Sequence, residues 1–254
     1  MVRAVVVLLL SFVVYSAQAE QRSLAIQDIN IVTEQFPPYN YMSNGVLKGA
    51  STEIVQAALQ LLKIDANISV YPWARAYQMA KHHPNTLIFS MAKTPERVKS
   101  FKWGGALVPV ESCFFALDSR RDIKVNKLED AYQYAVTTQR EGNTEHALKN
   151  MNFVAGKNLF SSVSADSSYM SILTGRADLW GFPTQVVKNM TSQSKHANKP
   201  KLRKVFCFDV SYLYIGFSLG TPDETVEQFN QALSKIRGNG QYKQILAKYK
   251  LTKG

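Results

Sequence analysis

Ile29-Asn30-Ile31-Val32-Thr33, Ser51-Thr52-Glu53-Ile54-Val55 and Ile68-Ser69-Val70-Tyr71 form a repeating signal of short β-rich run, helical run and second β-rich run. The first and third runs are rich in β-branched residues and too short for helices, which favours strands. Between them Ile54, Val55, Ala58, Leu61 and Leu62 recur at helical spacing, behind Ser51 or Thr52 as the expected N-cap. A strand, a helix and a strand in that order predict a parallel pair joined by a crossover, the unit of an α/β fold.

Working outward, the pattern continues. Pro72 suits the first turn of a helix from Trp73 to His82, and Leu87 to Ser90 reads as a third strand. Thr94-Pro95-Glu96-Arg97 reads as a short capped helix, and Leu107 to Glu111 as an extended crossing. A second series follows, with strands expected at Cys113 to Leu117, Tyr134 to Thr138 and Ala177 to Gly181. Its helices are expected at Asn143 to Asn150, Ser167 to Leu173 and Thr184 to Met190. Thr191 to Lys201 is polar and reads as a loop, then Lys204 to Phe208 and Tyr212 to Ser218 read as strands. Two helices close the chain, the first opened by Pro222 and ended by Gly238-Asn239-Gly240. Asn44-Gly45 predicts a tight hairpin within the first loop.

The N-terminus carries Arg3, an apolar run from Ala4 to Val14 and the small-residue stop Ala17-Gln18-Ala19. Those three parts make residues 1–19 a secretory signal peptide, cleaved after Ala19. The run is shorter than the roughly 20 residues a membrane span needs. No Cys stands at the cleavage point to take a lipid, so a soluble periplasmic protein is expected. Of 254 residues, 30 are basic and 19 acidic, a formal charge of +11. The basic residues are scattered singly rather than gathered in tracts, so no nucleic-acid partner is expected and a solvated basic surface is. The two cysteines, Cys113 and Cys207, have neither CxxC spacing nor a His at ligand spacing, so no metal site is expected. Either a disulfide or two buried thiols fits them, in a compartment that permits bridges.

Phe36-Pro37-Pro38-Tyr39, Lys48-Gly49-Ala50-Ser51-Thr52-Glu53-Ile54, Met91-Ala92-Lys93-Thr94-Pro95-Glu96-Arg97, Arg140-Glu141-Gly142-Asn143-Thr144, Gly175-Arg176-Ala177-Asp178 and Tyr214-Ile215-Gly216-Phe217 follow one another in order, ahead of Ile236-Arg237-Gly238-Asn239-Gly240-Gln241-Tyr242. On these motifs the chain resembles family 3 of the bacterial extracellular solute-binding proteins, the polar amino-acid receptors of ABC transporters. The resemblance implies a type II periplasmic-binding fold, two α/β lobes joined by two crossing hinge strands. It puts 20–109 plus 212–254 in lobe one and 110–211 in lobe two. It also implies a monomer that closes on a small ligand for an ABC permease or a membrane sensor.

Arg97 is the foremost candidate, because its guanidinium can fork onto a carboxylate. The resemblance assigns it the α-carboxylate of a ligand; the alternative is a surface Arg paired with Glu96 or Glu53. Phe36 and Tyr39 lie in the loop after the first strand, where α/β sheets present ligands. Trp73 and Arg75 stand near a helix N-terminus, as ligand contacts or as a core ring with a capping cation. Ser90 ends the third strand. Arg140, Thr144 and Trp180 are the lobe-two candidates. The resemblance also locates two departures. Pro183 stands where amino-acid binders carry the acid for the α-ammonium, and Ala92 replaces a hydroxyl common in relatives. The charge of Arg75, Arg97 and Arg140 then favours a small polar ligand, an amino acid or related molecule, that is acidic or has a carboxylate and no essential ammonium. An exported enzyme such as a dehydratase is the competing class. Glu34, Glu53, Glu141 and Asp166 are available acids, but none adjoins a His, Ser or Cys constellation, so binding without catalysis or cofactor is expected.

Overall fold

The computed structural model describes residues 28–192 and 200–251. The signal peptide expected at 1–19 lies outside the described residues, as does most of the polar loop expected at 191–201. The chain begins with β1 (Asn30–Thr33), the hairpin β2 (Tyr41–Ser43) and β3 (Val46–Lys48), α1 (Ala50–Leu62), β4 (Ile68–Val70) and α2 (Trp73–His82). It continues with β5 (Thr86–Ala92), α3 (Pro95–Val98), β6 (Lys102–Leu117), a 3-10 turn at Leu128–Gln133, β7 (Val136–Gln139) and α4 (Asn143–Asn150). Then come β8 (Leu159–Ser162), α5 (Ala165–Leu173), β9 (Leu179–Pro183), α6 (Thr184–Ser192), β10 (Leu202–Phe217), α7 (Asp223–Gly238) and α8 (Gln241–Lys248).

Eight strands share one curled sheet in the order β4-β1-β5-β10-β6-β9-β7-β8. At each end the strands run parallel, β4 and β5 beside β1, and β8 and β9 beside β7. The long strands β6 and β10 pair antiparallel in the middle and belong to both lobes. Strand alternation explains why both faces of each end are covered. In lobe one, Ile31, Leu87 and Phe89 point to the core under α1, α7 and α8, while Val32, Ile88 and Met91 meet α2. In lobe two, Phe115 and Trp180 face one layer and Phe114 and Leu179 the other.

Three sequence expectations change. The crossing at Leu107 to Glu111 and the strand at Cys113 to Leu117 are one continuous strand, as are the two runs expected across Lys204 to Ser218. Register shifts between Lys204 and Phe206, Cys207 and Asp209, and again near Tyr214, let β10 stay paired while it curls, so the breaks in its apolar pattern are bulges rather than ends. Strand β8 was not foreseen, because of its four residues only Leu159 is buried. The cap of α1 is Gly49 and not Ser51 or Thr52.

Opposite one another in the β6/β10 register stand Pro109 with Tyr212 and Val110 with Ser211, followed by Cys113 with Cys207. The two sulfurs are bonded, so the hinge strands are tied covalently just beyond this crossing. No helix among the described residues is long and apolar enough to cross a membrane.

Gly49 cannot be replaced at its position. Its φ is +125°, and an added Cβ would lie 2.2 Å from the Tyr39 carbonyl oxygen, which is backbone and cannot swing away. Gly49→Ala is expected to cost about 2–4 kcal/mol, lowering Tm by roughly 5–12 °C, read by calorimetry. An unchanged Tm would mean the loop between β1 and α1 is not held as described.

Candidate functional site

The site forms where the lobes meet, and local backbone devices aim its side chains. After β1 the chain folds back through Asn40, whose side-chain amide donates to the Glu34 carbonyl at 2.7 Å, while the Phe36 N–H donates to the Asn40 carbonyl. This turn leaves Glu34 and Phe36 at the cleft. In β5, Met91 pairs with Tyr214 and Phe89 with Ile215, so Ser90 is the extra residue of a bulge, with φ 63°. A bulge re-aims a side chain. Ser90 lines the cleft and its buried hydroxyl has no hydrogen-bond partner.

Arg97 is 2% exposed, which is unusual for a residue that is always charged. Its guanidinium carbon lies 5.2 Å from the ring centroids of both Trp73 and Tyr77. Nη1 donates to the Ala92 carbonyl at 3.3 Å and Nη2 to the Glu141 carbonyl at 2.5 Å. Aromatic faces and carbonyl oxygens replace part of the lost water, though burial still pulls the Arg97 pKa down. The contact with Glu141 crosses from lobe one to lobe two.

Lobe two answers from β7 and α4. Thr138, Gln139, Gly142, Asn143 and Thr144 line the cleft, joined by Phe182 and Pro183 of β9. Gln139 Nε2 donates across the cleft to Glu34 Oε2 at 3.2 Å. Burial pushes the Glu34 carboxyl up to about 7, against the opposing effects of the Gln139 hydrogen bond and the Arg97 charge. The cavity holds about 390 Å³ of empty space, part of it open to solvent, with Leu213 completing the apolar wall.

Of the residues expected from sequence, Phe36, Trp73, Ser90, Arg97 and Thr144 gather here. The other four stand elsewhere. Tyr39 is fully buried in the lobe-one core, its ring 5.2 Å from Phe36. Arg75 is exposed on the outer side of α2, its guanidinium over the Tyr71 ring at 4.6 Å. Arg140 is exposed, and it is its backbone N–H that is engaged, with the Ser162 carbonyl. Trp180 is fully buried and stacks between Tyr169 and Phe182 at 5.2 and 4.9 Å. Sequence reasoning missed Thr138, Gln139 and Leu213 as lining residues. Gln139 sits one place before Arg140, and the only signal was its position at the end of a strand facing the cleft. The closest approach to a metal-binding group among the described residues is Glu111 with Cys113 and Cys207, whose sulfurs are bonded to each other.

The family model for bacterial extracellular solute-binding proteins, family 3, matches residues 29–252. The chain belongs to this family. No curated protein sequence matches it. Among solved structures, a histidine kinase sensor domain with similarity to periplasmic binding proteins superposes with a TM-score of 0.78 at 18% identity, covering 88% of this chain and 96% of that one. An ancestral arginine-binding protein bound to arginine gives 0.75 at 20% identity, covering 87% and 97%. The GluR0 ligand-binding core from Nostoc punctiforme, in complex with L-glutamate, gives 0.72 at 17% identity, covering 87% and 98%. At these identities the likeness establishes the type II periplasmic-binding fold, with its two lobes around a cleft.

The Glu34 carboxyl makes stability depend on pH. Its folded pKa, about 7, is raised above the ordinary 4.5, so the folded protein holds that proton more tightly than the unfolded chain does. Its contribution is therefore fully present below 4.5 and is lost as pH rises through 7. Glu34→Gln is expected to remove that decline, gaining up to roughly 3 kcal/mol over the parent at pH 8 and little at pH 4.5. Thermal unfolding at both pH values checks this; an equal difference at the two would mean Glu34 is not held in a dry cleft.

Proposed function

We propose that this chain is an exported, periplasmic receptor that captures a small carboxylate-bearing molecule between its lobes and presents the closed form to a membrane partner. The observation that carries the reading is Arg97, a charged side chain 2% exposed at the cleft and packed beside two adjacent rings. A buried guanidinium is costly unless it meets acceptors, and two of its five N–H groups reach carbonyls, leaving part of the fork for a ligand carboxylate. Ser90 and Thr138 support it from the two lobes with buried hydroxyls that have no partner. Phe36, Trp73, Phe182 and Leu213 supply apolar walls.

Pro183 lines the same cavity and brings no charge, so the usual acid for an α-ammonium is missing from that wall. Glu34 is the one acidic residue among the lining side chains, and it faces an amide rather than a hydroxyl or imidazole. Among the described residues no His or Cys lines the cavity with it, so it has no nucleophile–base constellation to work with, and we read the site as binding without conversion. We put the lobe boundaries at Pro109/Val110 and Ser211/Tyr212, which face each other in the hinge pair. The membrane partner is an ABC permease or a signalling receptor; the fold is used by a histidine kinase sensor domain as well as by amino-acid receptors.

Calorimetry against a panel of amino acids and simple mono- and dicarboxylates tests the reading. Arg97→Lys keeps the charge but loses the planar fork, and is expected to weaken binding of a carboxylate roughly 10- to 100-fold. The proposal fails if only cationic or neutral ligands without a carboxylate bind.

A further inference from the structure

Glu141 is an ordinary residue in an uncommon conformation. Its φ is 57°, the left-handed region where a side chain is disfavoured. Its own carboxylate is exposed and lies 3.7 Å from His146 Nε2 of α4. The backbone is pinned by Glu145, in the first turn of α4, whose Oε2 accepts the Glu141 N–H at 2.6 Å. Glu145 is 4% exposed and is itself fixed, accepting from the Ser161 hydroxyl and pairing with Lys149 at 3.2 Å. So held, the Glu141 carbonyl points out of lobe two into the cleft. Two donors from lobe one converge on that single oxygen: Trp73 Nε1 at 2.8 Å and Arg97 Nη2 at 2.5 Å.

We infer that the Glu141 carbonyl is a built-in latch between the lobes, and that Glu145 is the positioning residue that aims it. Strain in a left-handed residue persists only where the surroundings over-determine it, and such residues mark switches and clamps. Here the surroundings are a buried carboxylate on one side and two buried donors on the other. A carbonyl is the acceptor that a guanidinium facing a carboxylate site can also take, so the protein supplies its own oxygen where Arg97 can be reached. Closure then does not need a ligand to bridge the lobes. Its consequence for capture rests on the cleft being the ligand site proposed above: a carboxylate arriving at Arg97 shares the guanidinium with this carbonyl or displaces it.

Small-angle scattering on the full protein, with no small molecule added, tests the latch. Trp73→Phe keeps an aromatic ring at that place, deletes the N–H donor and shrinks the side chain, a loss of packing that the Tm reports separately. One hydrogen bond lost lowers the closed-to-open ratio about fivefold, and the radius of gyration is expected to rise. Glu145→Ala is expected to do the same, and Glu145→Gln, which keeps an acceptor for the Glu141 N–H, to restore compactness. Circular dichroism and Tm are followed in parallel, because a merely structural role would lower Tm without expanding the folded form. A parent and Trp73→Phe of equal radius would overturn the latch, as would a Glu145→Gln as expanded as Glu145→Ala. Neither result depends on a ligand, so the latch can fail while carboxylate binding stands, and the reverse.

Discussion

A guanidinium that cannot lose its proton is buried at the meeting of two lobes, and much of the site is arranged around that constraint. A lone buried charge is far too costly to keep, so Arg97 must be surrounded by groups that stand in for water. The protein supplies two aromatic faces, a carbonyl from its own lobe and a carbonyl from the other. The last of these couples the charge to the relative position of the lobes. Any movement that opens the cleft removes that acceptor and lets solvent take its place. In the function proposed, recognition and closure draw on the same few atoms.

The hinge makes such coupling possible. Two lobes joined by a pair of adjacent strands can rotate about them, and the cluster under lobe one continues across the hinge into Phe115, Trp180 and Phe182. The strands are long enough to serve both lobes, and their irregular register gives them the curl that separates the two layers. The bond between Cys113 and Cys207 holds the pair together on the lobe-two side of the crossing, leaving rotation as the remaining freedom.

Much of the fold was legible because the sequence repeats one physical pattern. Helices α2, α4 and α7 follow Pro72, Gly142 and Pro222 closely, since proline and glycine punctuate a chain wherever it folds. The hairpin at Asn44 and Gly45 was equally plain, as both residues take the left-handed conformation that such a turn requires. The long strands were not, because bulges break the alternation by which strands are recognised. The site was partly legible. Phe36, Trp73, Ser90, Arg97 and Thr144 sit next to turns or strand ends that face the cleft, while Tyr39, Trp180, Arg75 and Arg140 sit beside the same landmarks and turn into a core or into solvent.

What the sequence determined by itself was the class of fold, the family, and the kinds of side chain near the cleft. These follow from periodicity and from motif order, which are properties of the chain alone. Only the tertiary structure decided which of two neighbouring residues faces inward, Gln139 or Arg140, and which carboxylate stands buried in the cleft, Glu34. It alone brought the Glu141 carbonyl to Arg97 and Trp73. Those choices depend on the handedness of single residues and on contacts between segments far apart in the chain, and no local pattern of residue types encodes either.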